Sequence, residues 1–296
     1  MGRDLAEQFP AARDTFDEAD EALGIGISRL CWEGPESELT LTVNAQPAIL
    51  VHSVAVWRVL AENGTLDVAM GAGHSLGEFS VYVTAGSLAF PDAVRIVRRR
   101  GELMYDSGLA RPGTMAAVLG LEDSRAEVLC REASSNADGV VVAANLNSPG
   151  QLVLSGDVKA VERAAELARS AGARRVVTLN VSGAFHSPLM ETALDGLRQT
   201  LDKFPFGDPS FPIISNVTAE PVSDAETARD LLLRQLVSPV RWADSIRTMR
   251  AAGVETFVEI GPGNVLAGLL RRIDREATGI ALGTAGDLQK HIAEVE

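Results

Sequence analysis

The sequence predicts an α/β fold in which a smaller domain is inserted into a larger one. Short apolar runs are each followed by a Gly-rich turn and a helical pattern, which is typical of parallel strands buried on both faces. Amphipathic helical patterns alternate with these strands along most of the chain. A central segment has the order β-α-β-β-α-β, the split pattern of a ferredoxin-like unit.

The larger domain is predicted to comprise residues 1–112 and 182–296, on either side of the central segment. Its strands are predicted at LDVAM (66–70) and ETFVEI (255–260). Its predicted helices cover residues 4–22, 47–62, 76–86, 91–105, 187–202, 224–236 and 241–252.

The smaller domain is predicted to comprise residues 113–181. Its predicted strands are TMAAVLG (114–120), GVVVAANL (139–146), QLVLSG (151–156) and RRVVTLNV (174–181). Helices are expected from about residue 122 and from Asp157. Pro112–Gly113 and Gly183 lie near the two points where the chain passes between the domains.

Charge and hydropathy exclude some kinds of partner. The net charge of −13 is unsuited to nucleic acid, which needs a basic face, and gives no attraction to an anionic membrane surface. The longest apolar run, residues 47–60, is interrupted by His52 and Arg58 and is too short to span a bilayer. The first residues lack the basic and apolar segments of a secretion signal. We therefore expect a cytoplasmic protein that binds neither nucleic acid nor membrane.

Metal-binding and disulfide chemistry are not predicted. Cys31 and Cys130 have no metal-ligand spacing, and the histidines are scattered along the chain. We expect a monomer with no bound metal.

The segment GAGHSLGEF (71–79) contains a G-x-S-x-G motif between a predicted strand and a predicted helix. In a nucleophile elbow the serine lies on a sharp strand-to-helix turn, where flanking glycines avoid collisions that side chains would make. Ser75 is therefore the predicted nucleophile of an α/β-hydrolase-like core with a parallel sheet. The N–H of Leu76, at the start of the new helix, is expected to donate to a developing oxyanion. The alternative is a Gly-rich turn without catalytic function.

A serine hydroxyl needs a general base, and the histidines are the candidates. His74 adjoins Ser75 in a tight turn, so its side chain should point away from Oγ. His52 lies in a predicted buried helix, and His291 lies in a polar C-terminal segment. His186, in the loop SGAFHSPLM, can reach across a cleft between the domains and is the predicted base, the alternative being a solvated loop histidine. No acidic third member is evident, and a carbonyl could orient the imidazole instead.

Motifs along nearly the whole chain resemble those of the bacterial malonyl-CoA:acyl carrier protein transacylases and of polyketide synthase acyltransferase domains. They are GHSLGE (73–78), RRRGELM (98–104), ANLNSPGQLVLSG (144–156), GAFHSPLM (183–190), RQLVSPVRW (234–242) and VEIGPGNVL (258–266). They occur in the order of these families and at closely similar separations. The resemblance is therefore far more specific than any single motif.

The resemblance implies roles for individual residues. It identifies Ser75 as the nucleophile and His186 as the base, and Gln235 as the residue whose main-chain carbonyl orients that histidine. It also implies that Arg100 binds the malonyl carboxylate, for which a planar guanidinium with two parallel donors is suited. Without the resemblance, Arg100 is one of several arginines on a predicted helix face.

The same resemblance implies a reaction and a substrate. Phe185 and Leu76 match the malonyl rather than the methylmalonyl form of their motifs. The implied activity is malonyl transfer from malonyl-CoA to the phosphopantetheine thiol of acyl carrier protein, without a bound cofactor, in fatty acid biosynthesis. The alternatives are a trans-acting polyketide acyltransferase, a serine hydrolase or thioesterase, and a non-catalytic module that binds the carrier protein.

An acidic carrier protein requires a basic docking patch on this acidic chain. Two arginine clusters are candidates, and for each the alternative is a solvated helix face. The clusters are Arg95, Arg98 and Arg99, and Arg271, Arg272 and Arg275.

The N-terminal segment differs from the pattern of these families. A first strand and a loop of the form GQGSQ normally precede the segment that resembles MGRDL, with which this chain begins. The loop glutamine supplies a second oxyanion donor, and loss of one such donor typically costs about 10²–10³ in rate. We expect the upstream reading frame to encode this loop and strand; the alternative is a shorter protein with impaired activity.

Overall fold

Residues 1–64, 67–135 and 139–295 are described by the computed structural model, and they form small sheets surrounded by helices. In chain order the α-helices are α1 (Arg3–Gln8), α2 (Pro10–Leu23), α3 (Ile27–Glu33), α4 (Glu36–Leu39), α5 (Thr42–Glu62), α6 (Leu76–Thr84), α7 (Phe90–Ala110), α8 (Asp123–Ser134), α9 (Val158–Ser170), α10 (Leu194–Leu201), α11 (Ala225–Arg234), α12 (Trp242–Ala251), α13 (Val265–Ile273) and α14 (Ala285–Val295). The strands are β1 (Gly71–Ala72), β2 (Gly113–Leu119), β3 (Val141–Ser148), β4 (Gln151–Asp157), β5 (Arg175–Thr178), β6 (Ile213–Ile214), β7 (Pro221–Val222), β8 (Thr256–Ile260) and β9 (Thr278–Leu282).

The strands outside the central segment form two small sheets rather than one. In the first, β1 pairs in parallel with β6, and β6 pairs antiparallel with β7. In the second, β8 pairs in parallel with β9. The parallel pairing predicted for the larger part of the chain is present, and the predicted strand at 255–260 corresponds to β8. The expectation that this strand is buried on both faces is wrong, because its residues are only partly buried or exposed.

The strand predicted at 66–70 is wrong, because the ladder begins only at Gly71 (Leu66 lies outside the described residues). The Gly71 N–H donates to the Pro212 carbonyl at 2.9 Å, which starts the pairing with β6. A Cβ at Gly71 would lie 2.4 Å from Val81 and 2.9 Å from Phe211, so a residue with a side chain would not fit. The pairing therefore occurs at the small residues that precede the serine motif.

Several predicted helices have different boundaries. The helix predicted at 4–22 is divided at Phe9, which has an extended backbone (φ −124°, ψ 118°) because the next residue is proline. The helix predicted at 187–202 begins as a 3₁₀ segment, Pro188–Ala193. The helix predicted at 224–236 ends as another, Gln235–Val237, which turns Gln235 out of the regular helix.

Helix α5 lies at the centre of the largest apolar cluster. Along most of its length it is buried on more than one face, so its sequence is apolar almost all round. Proline at position 47 is accommodated inside it. Within residues 1–64, 67–135 and 139–295, no helix combines the length and the apolar character needed to cross a membrane.

The central segment forms a four-stranded antiparallel sheet with the order β3-β4-β2-β5. Helices α8 and α9 pack against it around a separate apolar core that includes Leu152 and Val118. Its edge strand β3 also bonds to the rest of the protein. The Leu146 N–H donates to the Val240 carbonyl at 2.9 Å, and the Val240 N–H donates to the Ala144 carbonyl at 2.8 Å.

Candidate active site

Ser75 lies on a strained turn between β1 and α6, as the G-x-S-x-G motif predicts. Its backbone has φ 50° and ψ −105°, a conformation rarely adopted by residues other than glycine. A Cβ at Gly73 would lie 2.0 Å from the backbone of Gly77, so glycine is required at position 73. A Cβ at Gly77 would meet nothing within 4 Å. Gly73 therefore fulfils the steric role expected of both glycines.

Asn216 holds this turn in place. Its Oδ1 accepts from the Ser75 main-chain N–H at 2.7 Å, and its Nδ2 donates to the Gly73 carbonyl at 2.7 Å. Sequence reasoning did not identify Asn216. The available signal was its position two residues after the buried Ile-Ile pair of β6, since the carboxyl ends of neighbouring parallel strands meet at one edge of a sheet.

His186 contacts the serine through one ring nitrogen and a carbonyl through the other. Its Nε2 lies 2.8 Å from Ser75 Oγ, and its Nδ1 lies 2.9 Å from the main-chain oxygen of Gln235. Because that carbonyl can only accept, Nδ1 carries the proton and Nε2 is free to accept the serine proton. Burial, with the nearby charge of Arg100, lowers the pKa of His186 to about 3. The imidazole is thus neutral at physiological pH, as a general base must be.

Arg100 places a buried cation beside the same serine. Its Nη2 donates to Ser75 Oγ at 3.2 Å and to Gln235 Oε1 at 2.9 Å, and its Nη1 donates to Gln46 Oε1 at 2.6 Å. Burial lowers the pKa of Arg100 to about 10, so it stays protonated at neutral pH. Its Nε bonds to nothing among the described residues, which leaves a donor for a further group.

The side chain of Gln235 joins these groups to a buried acid. Its Nε2 donates to the Ser75 carbonyl at 3.0 Å and to Glu78 Oε2 at 2.6 Å. Burial raises the pKa of Glu78 to about 7. Neither Glu78 nor Gln46 was identified from the sequence, because helical periodicity assigns no role to Glu78 within the predicted helix 76–86, and Gln46 lies just before the predicted helix 47–62.

Leu76 and Phe185 are the sequence neighbours of Ser75 and His186, respectively. Leu76 is the first residue of α6, and its N–H bonds to no acceptor in the described part of the chain, so it is free to bind an anion. The Phe185 side chain packs against the largest apolar cluster, which contains α5. It also packs against a small cluster of Met115, Ala144 and Val153. Its carbonyl accepts from Ser155 Oγ at 2.7 Å, which anchors the loop before His186 to β4.

The other histidines lie apart from Ser75 Oγ. His74 Nε2 lies 2.8 Å from Asn147 Oδ1, and its ring packs 5.5 Å from that of Trp242, so the prediction that it points away is confirmed. His52 is buried in α5, and its Nδ1 has no hydrogen-bond partner in the described residues. His291 lies in helix α14 rather than in an irregular tail. No cluster of potential metal ligands occurs in residues 1–64, 67–135 and 139–295.

The arrangement suits acyl transfer through a covalent ester. A hydroxyl, a neutral imidazole and a guanidinium meet at one oxygen atom, and the imidazole is oriented by a third group. The third group is a carbonyl rather than a carboxylate. A carboxylate on the acyl group would find its counter-charge in the guanidinium.

Comparison with known proteins gives consistent matches over nearly the whole chain. Residues 1–294 match the family model described as an acyl transferase domain. The malonyl CoA-acyl carrier protein transacylase of Bacillus subtilis is 47% identical over 282 residues, which cover 95% of this chain and 88% of that protein. The protein of the same name from Escherichia coli K12 is 44% identical over 283 residues, covering 95% of this chain and 91% of that one.

Solved structures give the same result. An acyl carrier protein S-malonyltransferase from Vibrio cholerae matches with a TM-score of 0.94 at 43% identity, covering 98% of this chain and 94% of that one. A malonyl-transacylase in complex with its type II polyketide synthase acyl-carrier protein matches with a TM-score of 0.95 at 40% identity, covering 99% of this chain and 94% of that one. The mixed α/β architecture is therefore shared with these enzymes.

Proposed function

The chain belongs to the acyl transferase domain family, and we propose that it transfers a malonyl group from malonyl-CoA to the phosphopantetheine thiol of acyl carrier protein. The names of its relatives support this activity. The observation that carries the choice of acyl group is Arg100, whose guanidinium lies 3.2 Å from Ser75 Oγ and keeps an unpaired Nε within the described residues. A cation at this position suits an acyl chain that ends in a carboxylate.

Loading of the enzyme begins with Ser75. Its Oγ attacks the thioester carbonyl of malonyl-CoA while His186 Nε2 accepts the hydroxyl proton. The carbonyl oxygen becomes negative and accepts a hydrogen bond from the N–H of Leu76. The carbon–sulfur bond then breaks, His186 returns its proton to the CoA sulfur, and a malonyl ester remains on Ser75.

Transfer to the carrier protein reverses these steps. His186 accepts the proton of the phosphopantetheine thiol, and the resulting thiolate attacks the malonyl ester. The ester bond breaks, His186 returns the proton to Ser75 Oγ, and the malonyl thioester leaves on the carrier protein. The Gln235 carbonyl keeps the imidazole in the required tautomer throughout, since its bond to Nδ1 does not involve the travelling proton. Exclusion of water from the buried surroundings of His186 protects the ester from hydrolysis.

The same proposal assigns roles to the two parts of the fold. Residues 1–112 and 182–296 form an α/β-hydrolase-like catalytic domain, and residues 113–181 form a ferredoxin-like insertion. Support for the insertion comes from the strand order β3-β4-β2-β5 and its separate apolar core. Support for the catalytic domain comes from the strand–turn–helix geometry at Ser75. Phe185 lies where the return crossing from the insertion enters the catalytic domain, and we assign it to the acyl pocket.

A second candidate is malonyl supply to a polyketide pathway. It is favoured by the similarity to the transacylase that was solved with a type II polyketide synthase carrier protein. The chemistry at Ser75 is the same in both pathways. Comparison of transfer rates to fatty acid and polyketide carrier proteins distinguishes them. We assign the fatty acid pathway, which is the one that the motif resemblance implies.

Intact-mass measurement after incubation with malonyl-CoA tests the proposed function. The native chain is expected to gain one malonyl group, and Ser75→Ala is expected to gain none. Addition of phosphopantetheinylated carrier protein should then remove the group from Ser75 and add it to the carrier. A native chain that releases CoA without ever carrying the adduct, or without passing it on, would be a hydrolase instead.

The arginine provides a second test against a hydrolase. Arg100→Ala should reduce loading from malonyl-CoA far more than loading from acetyl-CoA, because the acetyl group has no carboxylate to bind. A hydrolase of neutral esters would lose little activity in this variant. Equal losses with both donors would contradict the assigned role of Arg100.

A further inference from the structure

Glu78 is a buried acid next to Ser75 that no step of the proposed reaction uses. It lies in α6, three residues after the serine, and is fully buried. Its Oε2 accepts from Gln235 Nε2 at 2.6 Å and from the main-chain N–H of Asn216 at 3.3 Å, and no ion pair to it occurs in the described part of the chain. Burying a carboxyl group without a contacting cation is costly, so a function for it is expected.

The Gln235 amide connects this acid to Arg100. Its two N–H groups donate to Glu78 and to the Ser75 carbonyl, and its oxygen accepts from Arg100 Nη2 at 2.9 Å. Because a carboxylate oxygen accepts and an arginine only donates, the amide nitrogen must face Glu78 and the amide oxygen must face Arg100. The acid and the guanidinium therefore hold the same amide from its two ends.

We propose that Glu78 is a positioning residue for the acyl site: through the Gln235 side chain it holds the Arg100 guanidinium beside Ser75 and thereby favours carboxylated acyl groups. This inference rests on the proposed function. The other end of the guanidinium is held independently by Gln46, so loss of Glu78 loosens the Nη2 side, which faces the serine.

The effect of losing Glu78 on the general base should be separable from its effect on the preference for carboxylated acyl groups. His186 is oriented by the main-chain carbonyl of Gln235, not by its side chain. Loss of Glu78 therefore leaves the general base in place, while it leaves N–H groups of Gln235 and Asn216 unpaired in the interior and loosens Arg100. A disturbance of the Ser75 turn through Asn216 lowers the rates with both donors alike, whereas a loosened Arg100 affects malonyl-CoA. A group that acts on substrate binding alone changes KM and leaves kcat nearly unaltered.

Two variants distinguish the hydrogen bond from the volume of the side chain. Glu78→Met keeps the approximate size of the side chain and removes its acceptor. Glu78→Gln keeps a carbonyl oxygen that can accept from the Gln235 amide. Tyr82→Phe is the matched control, because Tyr82 is also buried in α6 and its hydroxyl has no partner among the described residues.

The experiment measures kcat and KM for loading of Ser75 from malonyl-CoA and from acetyl-CoA. For Glu78→Met we expect KM for malonyl-CoA to rise about 10- to 100-fold, the usual effect of losing a hydrogen bond that involves a charged group. The values for acetyl-CoA should change far less. Glu78→Gln should recover most of the malonyl preference, and Tyr82→Phe should retain all of it.

The outcomes separate this inference from the proposed function. If Glu78→Met leaves the ratio of kcat/KM for malonyl-CoA to kcat/KM for acetyl-CoA unchanged, Glu78 is a structural residue and the inference is wrong. Glu78→Ala gives the same comparison if the methionine variant does not fold. If the native chain forms no malonyl ester at all, the proposed function fails first, before any variant is compared.

Discussion

The four-stranded sheet and the turn that carries Ser75 are stabilised in different ways. Strands β2 and β4 pair continuously from Gly113 to Leu119, and helices α8 and α9 cover the apolar core of the sheet. Strands β1 and β6 pair only at Gly71–Ala72 and Ile213–Ile214. The backbone around the serine is held instead by side chains distant in sequence, above all by Asn216 and Gln235.

This difference separates stability from activity within one chain. A regular sheet distributes its stabilisation over many backbone bonds and apolar contacts, so single substitutions affect mainly the free energy of unfolding. A strained turn held by a few buried polar side chains depends on each of them. Substitutions around Ser75 should therefore change rates more than stability, and those in the sheet the reverse.

The largest expected effect is that of His186→Ala on loading. Removal of the base should slow formation of the malonyl ester by about 10²–10⁴-fold, the usual contribution of a positioned general base. Single-turnover mass measurement with malonyl-CoA gives the rate. His74→Gln is the matched control, because His74 adjoins the serine but bonds to Asn147. Equal losses in both variants would mean that the effect comes from disturbance of the turn.

Leu152→Ala should affect stability and spare the rate. Leu152 is fully buried in β4, and a leucine-to-alanine change in such a core typically costs about 2–5 kcal/mol. Chemical denaturation measures the loss, and the loading rate per folded molecule should stay close to that of the native chain. A large fall in that rate would show that the sheet and the serine turn are energetically coupled, which would break the comparison.

The accuracy of the sequence-based predictions follows the same division. The strands and helices of the central sheet were predicted, with β5 shorter than expected, because short apolar runs and amphipathic helices are local signals. Around the serine, the motif predicted Ser75, the comparison of the histidines predicted His186, and the family resemblance implied Arg100 and Gln235; the structure brings these four residues together. The strand at 66–70 was misplaced. Asn216, Gln46 and Glu78 were missed, because side-chain bonds between distant segments leave no periodic pattern.

Asn216→Ala tests whether the turn that carries Ser75 depends on a single buried polar side chain. It should leave the Ser75 N–H and the Gly73 carbonyl unpaired in the interior, at a cost of about 1–3 kcal/mol. Because these bonds fix the strained turn, the loading rate should fall even in the folded fraction. Asn147→Ala, which removes the partner of His74 but leaves both turn bonds intact, should have a smaller effect on the rate. The reverse ranking would contradict the role of Asn216.

Acidification should destabilise helix α5 before the four-stranded sheet. Residues 113–181 contain no histidine, whereas burial lowers the pKa of His52 to about 4 and that of His186 to about 3. The unfolded chain binds protons at these groups below pH 6.5 and the folded chain does not, so each should cost about 1–2 kcal/mol by pH 5. The raised pKa of Glu78 acts in the opposite sense and by a similar amount, because its folded form takes up a proton first, so it offsets the loss at His186 and leaves that at His52 in α5.

Hydrogen exchange at pH 7 and pH 5 measures this difference by region. After correction for the intrinsic pH dependence of exchange, protection should fall in α5, where His52 lies, and persist in β2 and β4. The variant His52→Leu should reduce the loss in α5 and leave the sheet unchanged. A uniform loss over both regions would show that they unfold as one cooperative unit.

The two arginine clusters proposed for carrier docking differ in their surroundings. Arg95 pairs with Asp92 at 3.2 Å, and Arg98 and Arg99 pair with Glu102 at 3.1 Å and 3.0 Å. These two carboxylates offset much of the charge of the three arginines in the first cluster. By contrast, the exposed arginines of the second cluster have no ion pair in the described part of the chain.

The smallest expected effect is therefore that of charge reversal in the second cluster. Arg271→Glu and Arg272→Glu should each reduce kcat/KM for the carrier protein about two- to fivefold. This factor corresponds to about 0.5–1 kcal/mol, a typical contribution of exposed ion pairs, and the effect should weaken at high salt. Loading from malonyl-CoA should stay unchanged, because no charge near Ser75 is altered. Arg95→Glu is the matched control and should have less effect on transfer. If loading falls together with transfer, the cluster stabilises the fold and does not bind the carrier.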